Sequence, residues 1–306
     1  MGGGSAVAGS PEGRRRWWRA LRRTPLTMWN DDITDFAAAL TYYAVLAILP
    51  ALLATVVGFA LISPAAAREA AVQLAALLPG QAGAEVGGVL AQALGGGSAG
   101  WTLLVAGAGS ALWSCCSYLA VFRRALHRMH GTSDRRSPLR KVPRIVVTAA
   151  VLLVLLAVSA LALILSGPVA EGAGRVLHLG GTAPLVLSAI RWPVLLVVAA
   201  ALVLIVFRTG PEQAWRRWGS LPGGVLAAVL WLVFSAGFAL YTSVLGTYSH
   251  LYGSLAGTVV FLIWLWLSNL ALLAGAQFTA ELRRAAGLPV APEPTAVPER
   301  VGPDAR

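Results

Sequence analysis

The stretch that decides the fold is residues 36–62, FAAALTYYAVLAILPALLATVVGFALI, an apolar run without a single charged residue. A bilayer core is about 30 Å thick and a helix rises about 1.5 Å per residue, so roughly 20 residues cross it. In hydrocarbon every backbone N–H and C=O must be bonded within its own segment, which a helix achieves. The run therefore predicts a transmembrane helix.

Five further apolar runs of similar length follow this one. They span residues 101–122, 145–166, 185–207, 221–245 and 255–277. Alternation with a period of two residues is absent from them, which excludes a β-barrel. The composition agrees, because only 12% of the 306 residues are charged, about half the fraction usual in soluble domains. We predict an all-α polytopic membrane helix bundle with six transmembrane helices, occupying residues 36–284.

Basic residues alternate between the two sides of this predicted bundle. Six arginines precede the first helix and eight basic residues separate the second from the third, whereas the first, third and fifth loops carry one, one and none. Loops rich in arginine and lysine stay in the cytoplasm. The strong preference for arginine over lysine suggests a GC-rich bacterial genome. We therefore predict a multi-pass protein of the bacterial inner membrane with both termini in the cytoplasm.

The segments outside the spans have distinct predicted roles. Residues 1–35 form a basic cytoplasmic segment with an interfacial helix, whose Trp17, Trp18 and Leu21 would face lipid. Its arginines would contact anionic headgroups on the cytoplasmic side; arginines beside aromatic rings can also bind nucleic acid, but we predict no nucleic-acid partner. These arginines are Arg14, Arg15, Arg16, Arg19, Arg22 and Arg23. The tail, 285–306, is predicted to be disordered. The outer loop 63–100 is either re-entrant or surface-lying.

Polar residues inside the apolar runs are the candidates for a functional site. Pro50 interrupts the middle of the first helix and leaves the carbonyl of Leu46 without its usual donor. Broken helices often mark transport sites, where free backbone groups line a cavity. The predicted substrate-lining residues are Thr41, Tyr42, Tyr43, Pro50, Arg191, Tyr241, Tyr252, Asn269 and Gln277.

Several of these residues also have a purely structural interpretation. Arg191 lies inside the membrane if its helix begins at residue 185, and at the outer surface if Pro193 marks the first turn. Asn269 and Gln277 either hydrogen-bond between helices or contact substrate. Asp32 either caps the first helix or belongs to a cytoplasmic gate or ion site.

A second structural prediction concerns helix packing. Gly253 and Gly257 form a small-xxx-small motif at the start of the sixth helix. This spacing permits close contact between membrane helices, and the 221–245 helix is the expected partner.

Catalytic chemistry finds no support in the sequence. The four histidines are divided between the two predicted sides of the membrane, and only His127 and His130 form even a weak metal-ligand pair. Cys115 and Cys116 are adjacent within an apolar run and match no zinc motif. We predict no catalytic residue, no metal and no cofactor.

The order of several short motifs resembles the YihY/BrkB family of bacterial inner-membrane proteins. Residues 37–43, AAALTYY, followed by Pro50, are similar to the family's opening, and residues 251–257, LYGSLAG, are similar to its last third. The remaining motifs are LWS at 112–114, FRRAL at 122–126, RWP at 191–193, RTGP at 208–211, LPG at 221–223, FALY at 238–241 and Gly275-Ala276. The resemblance covers roughly residues 25–285.

Three residues depart from the family's pattern. Gln277 stands where an acidic residue is expected, Phe207 where tyrosine is usual and His127 where asparagine is frequent, whereas Glu281 matches a second acidic position. If the family's acid at this position carries protons, this chain cannot use it in that way.

The resemblance implies a multi-pass envelope protein without an agreed activity, to which an older ribonuclease label is attached. We predict a transporter or flippase-like protein for a lipid or amphiphilic envelope component. The alternative is a non-transporting scaffold that acts in envelope integrity through its basic cytoplasmic surfaces. The sequence leaves open the substrate, the direction and coupling of transport, and the oligomeric state.

Overall fold

The computed structural model describes residues 11–60, 63–65, 67–68, 71–72, 81–94, 98–131, 138–164, 197, 200–209, 221–244 and 249–287. Nearly all of them are helical. The helices are α1 (Pro11–Asn30), α2 (Ile33–Ala60), α3 (Gln81–Leu94), α4 (Ser98–Met129), α5 (Pro138–Ile164), α6 (Leu221–Val244) and α7 (Ser249–Ala285). Residues 200–207 form a further helical stretch between α5 and α6.

Five of these helices are long and apolar enough to cross a membrane. The candidate spans are Ile33–Ala60, Gly100–Met129, Val142–Ala160, Pro222–Tyr241 and Gly257–Ala285. The predicted class, an all-α membrane bundle, is confirmed. The remaining predicted span, 185–207, and the tail lie mostly outside the described residues, whereas more than half of loop 63–100 is described and contains α3. The count of six spans and the cytoplasmic termini therefore stay predictions.

The outer surface of the bundle is apolar, as a lipid solvent requires. On α5, Val147, Val151, Val154 and Val158 are all exposed and recur at spacings of three or four residues. In water such a stripe would mark a binding surface. In a bilayer it is solvated by lipid tails, which are as apolar as the side chains themselves.

The packed core lies where α2, α4 and α7 meet. Leu40, Leu119, Phe122 and Leu273 are fully buried there. The ring of Phe122 meets that of Phe207 edge to face, with centroids 5.8 Å apart, which joins the 200–207 stretch to the core. Because the core surrounds the first half of α2, it fixes the positions of the polar residues on that half.

A very close approach joins α6 to α7 at Gly223 and Gly275. A Cβ atom on Gly223 would overlap the carbonyl oxygen of Gly275, and a Cβ on Gly275 would overlap that of Gly223. At Gly257, in contrast, a Cβ would meet no described atom within 4 Å. The predicted motif thus differs from the observed contact, which lies about five turns further along α7. The surroundings of Gly253 are not described, so helix packing at Gly253 and Gly257 stays a prediction.

Helix α1 turns back onto the end of α7. The turn contains Asp32 in a left-handed conformation, with φ of 53°, and its carbonyl accepts the first backbone bonds of α2. Trp17 packs edge to face on Phe278 of α7, with centroids 5.3 Å apart. Trp17 makes this contact while its side chain stays 41% exposed, so the expectation that it faces lipid stays a prediction, and Ala20 is the buried residue of this face.

Candidate functional site

Asn269 connects three membrane helices through hydrogen bonds. Its Nδ2 donates to the Thr41 hydroxyl at 3.1 Å and to the Leu265 carbonyl at 3.1 Å. Its Oδ1 accepts from the Tyr118 hydroxyl at 2.9 Å. The Thr41 hydroxyl in turn donates to the Ala37 carbonyl at 2.8 Å. We call Thr41, Tyr118 and Asn269 the polar triad, and it joins α2, α4 and α7.

The hydrogen bonds of the polar triad join uncharged groups, which another uncharged donor or acceptor could replace. Thr41 and Asn269 are buried, every polar atom named above has a partner, and the triad carries no charge. Buried polar groups in an apolar surrounding are stable only while they are bonded. A headgroup that offered a donor and an acceptor could therefore replace these internal bonds at little cost.

Gln277 lies about two turns further along α7 than Asn269 and about 80° round the helix from it. Its side chain is fully buried, and Nε2 donates to Asp31 Oδ2 at 2.9 Å. Its Oε1 has no hydrogen-bond partner among the described residues. Gln277 therefore binds the corner between α1 and α2 and is separated from the polar triad by about 12 Å of helix.

Charged residues form ion pairs near the corner between α1 and α2, at the end of the bundle where Gln277 lies. Arg128 of α4 pairs with Asp32 at 2.7 Å. Arg284 of α7 pairs with Glu281 and also donates to the Met129 carbonyl at 2.7 Å. We call this set the end cluster. In this cluster the Asp32 carboxylate pairs with Arg128. The two roles considered from the sequence, a cap of α2 and a gate or ion site, stay predictions.

The other predicted lining residues are not gathered around the polar triad. Tyr42 is 61% exposed, because the position after Thr41 lies about 100° further round the helix. Tyr43 packs against the core, and the exposed Tyr241 stacks on Phe238. The carbonyl of Pro50 faces Gly107 on α4, where a Cβ would lie 3.2 Å away. Arg191 and the side chain of Tyr252 fall outside the described residues, so a lining role for all of these stays a prediction.

Tyr118 is the site residue that the sequence prediction missed. It occupies the second apolar run, where aromatic residues are common, and nothing in its neighbourhood singles it out. A usable signal existed, since a phenol hydroxyl inside a membrane helix normally requires a partner.

His130 follows the end of α4 and is buried without a partner for one ring nitrogen. Nδ1 lies 2.8 Å from the Leu126 carbonyl, so this nitrogen carries the proton, and no described residue bonds Nε2. Burial, and then the positive charges of Arg283 and Arg284 and the nearby His127, lower the pKa of His130. The bond to Leu126 opposes this shift. The buried ring is therefore neutral at pH 7.

This neutral ring predicts a specific pH dependence of stability. Because the unfolded ring takes up a proton near pH 6.5 and the folded ring only at lower pH, the stabilisation is complete above about 6.5 and is lost as the pH falls below it. The thermal midpoint of the wild type should fall more between pH 7.5 and 5.5 than that of His130→Asn. His127→Asn is the control. Equal pH profiles of the wild type and His130→Asn would show that His130 is not the responsible group.

Among the described residues, no three His, Cys, Asp or Glu side chains are grouped as a metal site would need.

Comparison with known proteins agrees with this helical architecture and with the motifs on α2 and α7. The family model described as virulence factor BrkB matches residues 25–298. The chain belongs to the BrkB family. The resemblance inferred from the sequence motifs is thereby confirmed, and so is the multi-pass membrane class.

Individual relatives of this BrkB-family chain have two kinds of name. A Bacillus subtilis protein, YfkH, whose name describes it as ribonuclease-like, is 31% identical over 195 residues, which cover 61% of this chain and 68% of YfkH. UPF0761 membrane proteins from Tolumonas auensis and Laribacter hongkongensis are 41% and 38% identical over 80 and 87 residues, with 26% and 21% of their lengths covered. The chain thus spans about a quarter of these membrane proteins. No solved structure matches it.

Proposed function

We propose that this BrkB-family chain is a transporter or flippase-like protein of the bacterial inner membrane that moves a lipid or another amphiphile. The observation that supports this function is the polar triad, an uncharged hydrogen-bonded group held between three membrane helices. Membrane-embedded polar residues are costly and commonly mark a pathway. The triad is therefore the best candidate for contact with a substrate.

The chemistry of the triad favours a neutral or zwitterionic headgroup. Tyr118 and Thr41 offer hydroxyls and Asn269 offers an amide, so each can give or accept a bond. An exchange of internal bonds for bonds to a headgroup keeps every polar atom satisfied throughout, which lowers the barrier to passage. Headgroup hydroxyls, phosphate oxygens and amides are all suitable partners.

Buried polar residues continue along α7 from the triad to the end cluster, which supports a path for the substrate headgroup beside this helix. Asn269, Gln277 and Glu281 lie at spacings of eight and four residues and are all buried, and their positions turn by about 120° round the helix. Pro50 and Gly107 lie on the opposite side of the triad, where α2 lacks a regular backbone bond and α4 approaches it closely. A local bend of α2 at Pro50 would separate Thr41 from Asn269.

A valine in place of Thr41 tests this function with little change of shape. Thr41→Val removes the bond between α2 and Asn269, and we expect translocation to fall at least fivefold. The full chain is reconstituted in vesicles of phosphatidylethanolamine and phosphatidylglycerol that contain a tail-labelled fluorescent lipid. The rate at which label from the inner leaflet becomes accessible to dithionite is then measured.

Thr55→Val is the matched control for this substitution. Thr55 lies on the same helix, and its hydroxyl donates within the helix to the Ala51 carbonyl at 2.6 Å. Translocation should be unchanged in this variant. If labelled phosphatidylethanolamine, phosphatidylglycerol and phosphatidylcholine all move no faster with the protein than without it, lipid transport is contradicted.

The scaffold alternative is favoured by one different observation, the exposed arginines of α1. A scaffold would need these arginines but not the polar triad. Complementation of an envelope defect by Thr41→Val, together with loss of complementation when α1 arginines are replaced, would favour the scaffold.

A further inference from the structure

Helix α1 presents two opposite stripes, and only one of them packs against the protein. The inner stripe contains Ala20 and Thr24, which are buried, and Trp17, which contacts Phe278. The outer stripe repeats every three or four residues and lies on the other side of the helix. Its members are Arg15, Trp18, Arg22, Leu26 and Trp29. All five are exposed.

The outer stripe exposes large apolar side chains next to cationic ones. Trp18 is 58% exposed and Trp29 is 78% exposed, and Leu26 lies between them. Large apolar side chains exposed together on one face mark an interaction surface. From residue 13 to residue 30 the helix contains six arginines and no acidic residue, so the surface is strongly positive.

The position of α1 decides what this surface meets. Asp31, at the end of α1, binds Gln277, and Trp17 binds Phe278. Both α7 residues belong to the span Gly257–Ala285. Helix α1 therefore lies beside the last turns of a membrane helix, and its outer stripe faces away from the bundle at that level. Tryptophan is enriched at this depth, where its ring contacts the acyl boundary and its N–H contacts the headgroups.

We propose that the outer stripe of α1 is a binding surface for the anionic headgroups of the adjoining leaflet. Arg15 and Arg22 contact phosphate groups, while Trp18 and Trp29 insert beside the headgroups. Interfacial helices of this composition bind through buried apolar area together with attraction to anionic lipid. This surface is separate from the polar triad, so the inference does not depend on transport.

The corner between α1 and α2 holds the surface in place. Asp32 pairs with Arg128 of α4, and Asp31 accepts a bond from Gln277 of α7. Because both aspartates belong to the two-residue turn, α1 is attached at its end as well as along its inner stripe. A preorganised surface loses less entropy on binding than a flexible basic segment would.

Native mass spectrometry of the full-length chain in a neutral detergent tests this surface. Dioleoylphosphatidylglycerol and dioleoylphosphatidylcholine are added separately, and the bound lipids are counted as a function of concentration. We expect the wild type to prefer phosphatidylglycerol. The double variant Arg15→Gln/Arg22→Gln should lose about fivefold in affinity for each arginine, and the loss should shrink as salt is raised.

The matched control is Arg124→Gln/Arg144→Gln, which removes the same charge from exposed positions on α4 and α5. Its phosphatidylglycerol affinity should change less than twofold. Trp18→Ala/Trp29→Ala should weaken the binding of both lipids, since it removes the insertion shared by them. Substitutions on the outer stripe leave the packed face of α1 intact, and an unchanged thermal midpoint verifies this.

Two results would overturn the proposal. Equal losses in the two arginine pairs would show that only net charge matters. Full retention of phosphatidylglycerol binding by Arg15→Gln/Arg22→Gln would show that the stripe serves another partner, such as a protein or a nucleic acid.

Discussion

Gly223→Ala should destabilise the folded protein by about 3 kcal/mol, the upper part of the range for overpacking a close contact. The new Cβ would overlap the carbonyl oxygen of Gly275 and the hydroxyl of Thr279. The hydroxyl can rotate, but the carbonyl belongs to the backbone of α7 and cannot move without shifting the helix. The thermal midpoint of the purified chain in detergent should fall by roughly 8 °C.

The adjacent residue provides the control for this substitution. A Cβ on Gly224 would meet nothing within 4 Å, and alanine is the better helix former, so Gly224→Ala should leave the midpoint unchanged or raise it slightly. Gly275→Ala should resemble Gly223→Ala, because it blocks the same contact from the other side. If Gly223→Ala and Gly224→Ala had equal midpoints, the close contact between α6 and α7 would be refuted.

Arg284→Met should cost about 2–3 kcal/mol, since it leaves the carboxylate of Glu281 buried without its partner. The Glu281 side chain is 4% exposed but the Arg284 side chain is 32% exposed, so the expected cost lies below the roughly 3–5 kcal/mol of a fully buried pair. The bond from Arg284 to the Met129 carbonyl, which joins α7 to α4, is lost as well. Thermal midpoints or denaturant titrations in detergent would measure the loss.

A double variant separates the cost of leaving Glu281 charged and unpaired from the cost of losing the packing of Arg284. Glu281→Met/Arg284→Met removes both charges, and it should recover at least half of the stability lost by Arg284→Met alone. Arg283→Met is the control for the loss of a neighbouring positive charge and should change the midpoint little. Failure of the double variant to recover any stability would show that the pair is not what holds Glu281 in place.

The membrane spans could be predicted from the sequence because hydropathy is a local property of the chain. The run 36–62 is long enough to span a bilayer whatever its neighbours do, and the span Ile33–Ala60 agrees with it. The pairing of polar residues is not local. Thr41 and Asn269 could be recognised as candidates, but 228 residues separate them, and only the packing of α2 on α7 brings them together.

Local sequence patterns do not show where two helices cross or which way a side chain points. A glycine spacing shows that two helices can approach closely but does not locate the crossing point. The structure places the close approach at Gly275 and leaves Gly257 exposed. Likewise, the composition of α1 indicated an interfacial helix, but it could not show that Trp17 faces Phe278 while Trp18 faces outward.

The end cluster illustrates a further limit. Asp32, Arg128 and Arg284 occur in segments that are rich in charged residues, and any of several arginines could have paired with Asp32. Selection among them depends on the turn at Asp32 and on where α4 ends. Neither of these follows from the charge pattern.

The most direct test of the account is an experimental structure of the full chain in nanodiscs of bacterial lipids, examined around the polar triad. Transport through this site predicts a lateral opening in which headgroup density lies within hydrogen-bond distance of Asn269, Thr41 or Tyr118. A closed bundle in which the three side chains bond only to one another, in every conformation observed and with lipid in excess, would contradict the account and identify the triad as a structural clamp.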